Sequence, residues 1–318
     1  MRIAIVGAGG VGGLLGGLLA RAGEEVVVLA RGSSLEAIRS GGLRVDSPLG
    51  RFTQPVAAAS DDPAALGPVD AVVVAVKAWQ VAEVAPRLRP LLARGGVVVP
   101  LQNGVEAAER LAAALGEEPV ANGLVAVLAW LDGPGVIRHI GNPPRIALGE
   151  RGARGRSPSP RLEALAAALA KAGCEARVSD DIARASWEKY LLIEPWGALS
   201  AAARAPIGVV RSVPETRRLL EGALEELAAV GRARGVAIPA DAVARTLAFV
   251  DTVTPEATAS MQRDIGAGRP SELDDQTGAL VRLARAAGVP VPIHEALLAT
   301  LLPQEAAARG RIGRFQRT

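Results

Sequence analysis

Arg2-Ile3-Ala4-Ile5-Val6-Gly7-Ala8-Gly9-Gly10-Val11-Gly12-Gly13 stands at the head of the chain, and its abrupt change from β-branched residues to glycine decides the fold. Residues 2–6 have the pattern of a buried parallel strand running into a turn. In a G-x-G-x-x-G turn, Gly7 permits the reversal, Gly9 lets the main chain approach a pyrophosphate and Gly12 lets the next helix close on the strand. Gly7, Gly9, Gly10 and Gly12 are therefore the cofactor-binding candidates here. The spacing predicts a helix from Val11 to Ala22, stopped by Gly23, then a second strand over Glu25–Leu29. Phosphates would sit on the free N–H groups at the positive end of that helix.

An NAD site of this type usually has Asp or Glu at the end of the second strand, accepting from the ribose 2′-hydroxyl. This chain has Ala30-Arg31-Gly32-Ser33-Ser34 instead. The planar fork of Arg31 suits a 2′-phosphate, which favours NADP over NAD. A secretory leader, the other reading of a small-residue run after Arg2, is disfavoured because seven glycines between Gly7 and Gly17 interrupt its apolar core.

At 318 residues the chain is long enough for two domains. Its apolar share of 49% with only 3% aromatics fits an alanine-rich α/β or helical protein. No apolar run approaches the roughly 20 residues a membrane span needs. Only Lys77, Lys171 and Lys189 are lysines among 36 basic residues, and the net charge is +3. That balance is too slight for a nucleic-acid partner, and the basic tail Arg309–Arg317 is expected to be a solvated terminus. Cys174 is the single cysteine, which excludes an internal disulfide and a thiolate metal site, and points to a cytoplasmic setting. His139 and His294 have no carboxylate pattern around them and are expected to be structural or surface residues, with no metal bound.

Later segments extend the pattern. A short helix is expected over Ser34–Ser40, with room for two short strands before Ala59. Val69–Val76 and Gly95–Leu101 read as buried parallel strands, each followed by a helix, Ala78 to about Ala93 and Val105 to Leu115. Ligands bind beyond the carboxyl ends of such strands, where Lys77 and Asn103 stand. Val120–Leu131, Val136–Ile140 and Arg145–Gly149 read as strands in hairpin relation, adding an antiparallel edge to the sheet. An Arg/Ser/Pro loop over Ala153–Pro160, a helix from Pro160 to Lys171 and a strand over Glu175–Val178 complete a first domain, 1–179. From 180 to 318 the periodicity is helical, and Ser179-Asp180-Asp181 is an N-cap signal.

Two polar clusters interrupt the helical half. In Trp187-Glu188-Lys189-Tyr190, Lys189 lies in an apolar segment, and Pro195 is expected to kink or break its helix. Desolvation would lower the lysine's pKa and make it a proton donor; on these residues alone a snorkelling or ion-paired lysine is the stronger reading. Ser271-Glu272-Leu273-Asp274 follows Ser260-Met261-Gln262-Arg263-Asp264, and taken alone it reads as an ordinary helix N-terminus.

Taken in order, the glycine turn, Val76-Lys77-Ala78-Trp79-Gln80, Gln102-Asn103-Gly104, Trp187-Glu188-Lys189, Ser260–Asp264 and Gly268–Asp274 resemble the ketopantoate reductase family over nearly the whole chain. The resemblance implies a Rossmann-type, mostly parallel α/β domain and an all-helical domain similar to that of 6-phosphogluconate dehydrogenases. It implies NADPH-dependent reduction of 2-dehydropantoate to pantoate in coenzyme A synthesis. Carried onto this chain, it makes Lys189 the general acid, places Asn103 at the reacting centre and Lys77 against cofactor or substrate, and gives Ser260 the substrate carboxylate. Glu272 accepts from the substrate hydroxyl and positions Lys189. The partner is a small 2-oxo acid, and for assembly a homodimer is the candidate.

One departure matters. Reductases of known pantoate function resemble Lys-x-x-x-Asn-x-x-x-Asn on the lysine helix, with another asparagine about ten residues on. Here Ile193, Gly197 and Ile207 stand in those places. The hydride chemistry is therefore expected to survive better than the substrate identity. Two alternatives are a non-catalytic NADP-binding sensor and a reductase of a more apolar carbonyl compound.

Overall fold

The structure is a computed structural model that describes residues 1–152 and 159–313. Most of the expected loop over Ala153–Pro160 and the end of the basic tail lie outside the described residues. The chain forms two compact units, Met1–Gln102 with Glu106–Ala185, and Asn103–Val105 with Ser186–Thr318.

The first unit begins with β1 (Arg2–Val6), α1 (Gly10–Arg21), β2 (Glu25–Leu29), α2 (Gly32–Gly41), β3 (Leu43–Ser47), β4 (Gly50–Gln54), β5 (Ala58–Ser60) and β6 (Val69–Val74). It continues with α3 (Val81–Val84), β7 (Leu92–Pro100), α4 (Ala107–Leu115), β8 (Ala121–Gly133), β9 (Val136–Glu150), α5 (Pro160–Lys171) and β10 (Glu175–Val178). One sheet is parallel throughout, in the order β5-β2-β1-β6-β7, with Val6 opposite both Leu29 and Val74. Its strands are near-continuous valine and isoleucine runs because both faces are covered. This is a Rossmann-type arrangement.

A second sheet has the order β10-β9-β3-β4, with β8 paired antiparallel to β9. Here the expectation of an antiparallel edge on the first sheet is corrected. Val136–Ile140 and Arg145–Gly149 are one strand, β9, in a separate sheet. The register jumps from Ala126 opposite Arg145 to Leu128 opposite Ile140, so Gly141-Asn142-Pro143-Pro144 bulges out without ending the pairing. Helix α1 lies between the two sheets, which explains its glycines. A Cβ on Gly13 would come within 2.7 Å of Ile137, and one on Gly17 within 2.8 Å of Val45. Leu14, Leu15, Leu18 and Leu19 are buried beside them, each contributing about 1.5–3 kcal/mol.

The helix expected from Ala78 to about Ala93 is also corrected. It is a 3₁₀ turn, the four-residue α3 and a second 3₁₀ run over Ala85–Leu91, because Pro86 and Pro90 lack the N–H a longer α-helix needs.

The remaining elements are α6 (Ile182–Ala203), α7 (Ile207–Ser212), α8 (Pro214–Ala233), α9 (Ala242–Thr252), α10 (Ser260–Gly266), α11 (Ala279–Ala287) and α12 (Pro292–Ala308). The division between the units falls inside α6. Pro195 leaves α6 helical throughout, against the expected interruption. The second unit's core holds Trp187, Tyr190, Leu191, Leu199, Leu224, Leu227, Leu280 and Leu301. Ile207 is wholly buried within it. One wide π-turn, Asp274–Gly278, precedes α11; its signature is the bond from Gly278 N–H to the Leu273 carbonyl.

No helix among the described residues is long and apolar enough to cross a membrane.

Candidate active site

In the first unit the glycine turn has the form its sequence requires. Gly7 has φ +96°, and a Cβ there would lie 2.9 Å from the Val76 nitrogen. A Cβ on Gly12 would strike the Gly7 carbonyl, and one on Gly10 the backbone of Ala129. Gly9 differs: nothing lies within 4 Å of where its Cβ would be. It is the N-cap of α1, makes no side-chain cap, and no acidic residue occupies the first turn. Open space at Gly9 and the positive end of α1 suit an anion.

Arg31 follows the end of β2 as the N-cap of α2, largely exposed, with one guanidinium nitrogen 3.8 Å from Glu83. Lys77 is exposed beyond β6, its ammonium 5.7 Å from the Trp79 ring centroid. Behind it, Gln102 is buried and donates to the Val74 and Val76 carbonyls at 2.9 Å each, tying the ends of β6 and β7 together.

In the second unit, Lys189 donates to Asn103 Oδ1 at 2.8 Å, and Asn103 Nδ2 donates to Glu272 Oε2 at 3.4 Å. Gln276 Nε2 donates to the same carboxylate oxygen at 3.4 Å. The Tyr190 hydroxyl, one residue after the lysine, donates to the Gln276 carbonyl at 2.6 Å. The segment 103–105 can lie against the π-turn because Gly104 has φ +92° and lacks a Cβ, which would come 2.8 Å from the Asp275 carbonyl. Burial pushes the Lys189 ammonium down to about 8, against the opposing pull of the Glu272 charge. A lysine at that value exchanges its proton near neutral pH.

Ser271 fixes the approach to Glu272. Its N–H and hydroxyl both donate to Glu305, at 3.1 and 2.6 Å, and its hydroxyl accepts from the Leu273 N–H. The sequence-based reading of Ser271 as a local cap is thus half of its role. Ser260, at the first position of α10, is exposed and makes no hydrogen bond to Lys189, Asn103 or Glu272.

Sequence reasoning missed a second buried cluster. His294 is wholly buried, with Nδ1 donating to Glu226 at 2.6 Å and Nε2 to Glu194 at 2.8 Å. Glu194 also accepts from Thr277 at 2.6 Å, inside the π-turn. Burial by itself lowers the imidazole's pKa, but the charge of Glu194 and the bonds to both carboxylates raise it to about 9. Both ring nitrogens face carboxylate oxygens, so the ring is an imidazolium at neutral pH. No local pattern in the sequence announced it, because Glu226 and Glu194 stand 68 and 100 residues from His294. His139 is likewise buried, between the Ser47 hydroxyl and the Asn142 carbonyl. Both histidines are structural, and neither is a surface residue. Among the described residues no group of His, Cys, Asp or Glu could hold a metal.

A Rossmann-type unit with an anion-ready glycine turn, followed by a helical unit presenting a lysine with an amide and a carboxylate, defines a two-unit oxidoreductase. The sequence profile of the ketopantoate reductase PanE/ApbA family matches residues 3–152, and that of its C-terminal region matches residues 181–305. A 2-dehydropantoate 2-reductase of Halobacterium salinarum is 34% identical, over 93% of this chain and 96% of its own. An uncharacterized oxidoreductase of Bacillus subtilis, YkpB, is 30% identical over 96% and 99%. The crystal structure of a PanE/ApbA family ketopantoate reductase from Ralstonia eutropha superposes with a TM-score of 0.87 at 35% identity, covering 97% of this chain and all of that one. The chain belongs to the ketopantoate reductase family and is an oxidoreductase of the 2-dehydropantoate 2-reductase type.

Proposed function

We propose that this chain is a cytoplasmic NADPH-dependent reductase of 2-dehydropantoate or a related 2-oxo acid, with Lys189 as the general acid. The observation that carries this reading is the hydrogen-bonded run Lys189–Asn103–Glu272 with the lysine held at about 8. The first unit fits a dinucleotide: Gly9 leaves open space at the start of α1, Gly7, Gly10 and Gly12 let the turn and helix pack closely around it, and Arg31 supplies a fork for a 2′-phosphate. Lys77, beyond β6, is a second cation for the anionic ligands. Bound there, the dinucleotide supplies a hydride to the carbonyl carbon.

The chain's own residues handle the proton. As the carbonyl π bond breaks, negative charge gathers on the substrate oxygen. The Lys189 ammonium stabilises that charge and transfers one N–H proton to form the O–H bond, leaving a neutral amine to be reprotonated from solvent. Asn103 holds the ammonium in place through its carbonyl. Glu272 keeps the lysine charged before the transfer and accepts from the new hydroxyl. Ser260 binds the substrate carboxylate.

The test is NADPH oxidation followed by absorbance over a panel of 2-oxo acids that includes 2-dehydropantoate, with NADH as the comparison cofactor. Turnover of at least one 2-oxo acid with NADPH preferred is the expected result. Tight NADPH binding with no turnover would instead favour a non-catalytic sensor.

A further inference from the structure

Glu272 lies just before the π-turn of Asp274–Gly278, and Gln276 within that turn donates to its carboxylate at 3.4 Å. Where Glu272 stands relative to Lys189 therefore depends on where the π-turn stands relative to α6. Two side chains of α6 set that register. The Tyr190 hydroxyl donates to the Gln276 carbonyl at 2.6 Å, and Glu194 Oε1 accepts from the Thr277 hydroxyl at 2.6 Å. Tyr190 and Glu194 are four residues apart, so they share one face of the helix and hold two consecutive residues of the turn. Lys189 directly precedes Tyr190, so the same grip ties the turn to the lysine. Turns of this wide kind recur at functional sites.

Glu194 is fixed in its turn. It is wholly buried, its Oε2 accepts from His294 Nε2 at 2.8 Å, and the other ring nitrogen donates to Glu226 of α8 at 2.6 Å. A continuous run of hydrogen bonds thus leads from Glu226 through His294, Glu194 and Thr277 into the π-turn. From Gln276 it continues through Glu272 and Asn103 to the Lys189 ammonium. Buried ion pairs are poor stabilisers, since well-packed apolar side chains of the same volume usually do as well or better. What a charged, fully bonded cluster provides that apolar packing does not is a single orientation for the groups it holds.

We propose that Tyr190, Thr277, Glu194 and His294 are positioning residues: they register the π-turn against the lysine helix, and so hold the Glu272 carboxylate where it supports proton transfer from Lys189. They act through the turn and not on the substrate. This rests on reading Lys189 as the general acid of a 2-oxo acid reductase.

The test exploits the composition. Lys77, Lys171 and Lys189 are the only lysines, so protein labelled with carbon-13 lysine gives an NMR titration in which Lys189, assigned by its loss in Lys189→Ala, is followed without cofactor or substrate. Thr277→Val keeps the side chain's size and removes the bond to Glu194. Lys189 should then titrate lower than in the wild type, by part of the roughly one unit that Glu272→Gln removes. On the best 2-oxo acid kcat should fall roughly tenfold with KM for NADPH unchanged, within the roughly 10²-fold that a misplacement of about 1 Å costs. Thr277→Ser should restore both readouts, and Tyr190→Phe, which releases the other grip, should act in the same sense as Thr277→Val. In a Glu272→Gln background Thr277→Val should add little, because its effect runs through that carboxylate. Wild-type titration and kcat in both Thr277→Val and Tyr190→Phe, or a Thr277→Val effect undiminished in the Glu272→Gln background, would overturn the assignment and leave the reductase reading intact. If the wild-type protein binds NADPH, as a fluorescence titration reports, and reduces no 2-oxo acid, the underlying reading falls and this inference with it.

Discussion

Lys189 is held at about 8 by burial, and the Glu272 charge keeps it from falling further. Proton donation needs the ammonium, so kcat for reduction should be level below pH 8 and decline above it. In Glu272→Gln the opposing charge is gone, and the alkaline limb should move down by about one unit; a kcat–pH profile of the two proteins checks this. Asn103→Ala removes a bond to a charged donor, a change of about 1.5–3 kcal/mol, and should cut kcat by about 10–100-fold with a smaller effect on KM. The sign for stability is separate. Between pH 8 and 10.5 the unfolded lysine binds the proton and the folded one does not, so this group's contribution to stability rises with pH in that window. The lysine itself could be singled out in the sequence as a rare residue type in an apolar run. Its partners could not, since Asn103 and Glu272 lie 86 and 83 residues away, and only resemblance linked them.

At the scale of elements, the π-turn of 274–278 is gripped from two sides. Gln276 turns toward Glu272 and Tyr190, while the next residue, Thr277, turns to Glu194 and the buried imidazolium. His294→Ala would strand the buried Glu194 carboxylate and the partly buried Glu226 and should destabilise the protein by about 3–5 kcal/mol, read as a lower urea midpoint at constant m. The imidazole's pKa is raised from 6.5 to about 9, so its stabilisation is fully present below pH 6.5 and is lost as pH rises through 9. None of this was legible in advance, because Glu226 and Glu194 stand 68 and 100 residues from His294 and the contact exists only once α6, α8 and α12 pack. The opposite holds for α1, whose glycines advertised a close approach. Gly17→Val should cost about 1–3 kcal/mol by overpacking against Val45, measured in the same way.

Over the whole molecule, legibility followed sequence distance. The parallel sheet is built from consecutive strand–turn–helix units, each with its own local signal, and it was read nearly as it stands. The second sheet joins the β3–β4 hairpin to β9 across a long separation, and periodicity carries no information about which strands will pair. That is why β9 was misplaced. The division into a unit with the glycine turn and a unit with the lysine makes a further prediction. Arg31→Ala should raise KM for NADPH by about 10–100-fold and leave KM for NADH nearly unchanged, because only the 2′-phosphate loses a charge-assisted pair. The most direct measurement compares the wild-type protein with Lys189→Ala, recording NADPH dissociation constants by fluorescence and kcat on the best 2-oxo acid. The expected result is an unchanged dissociation constant with kcat lowered about 10²–10⁴-fold; a Lys189→Ala protein that turns over as fast as wild type would contradict the account.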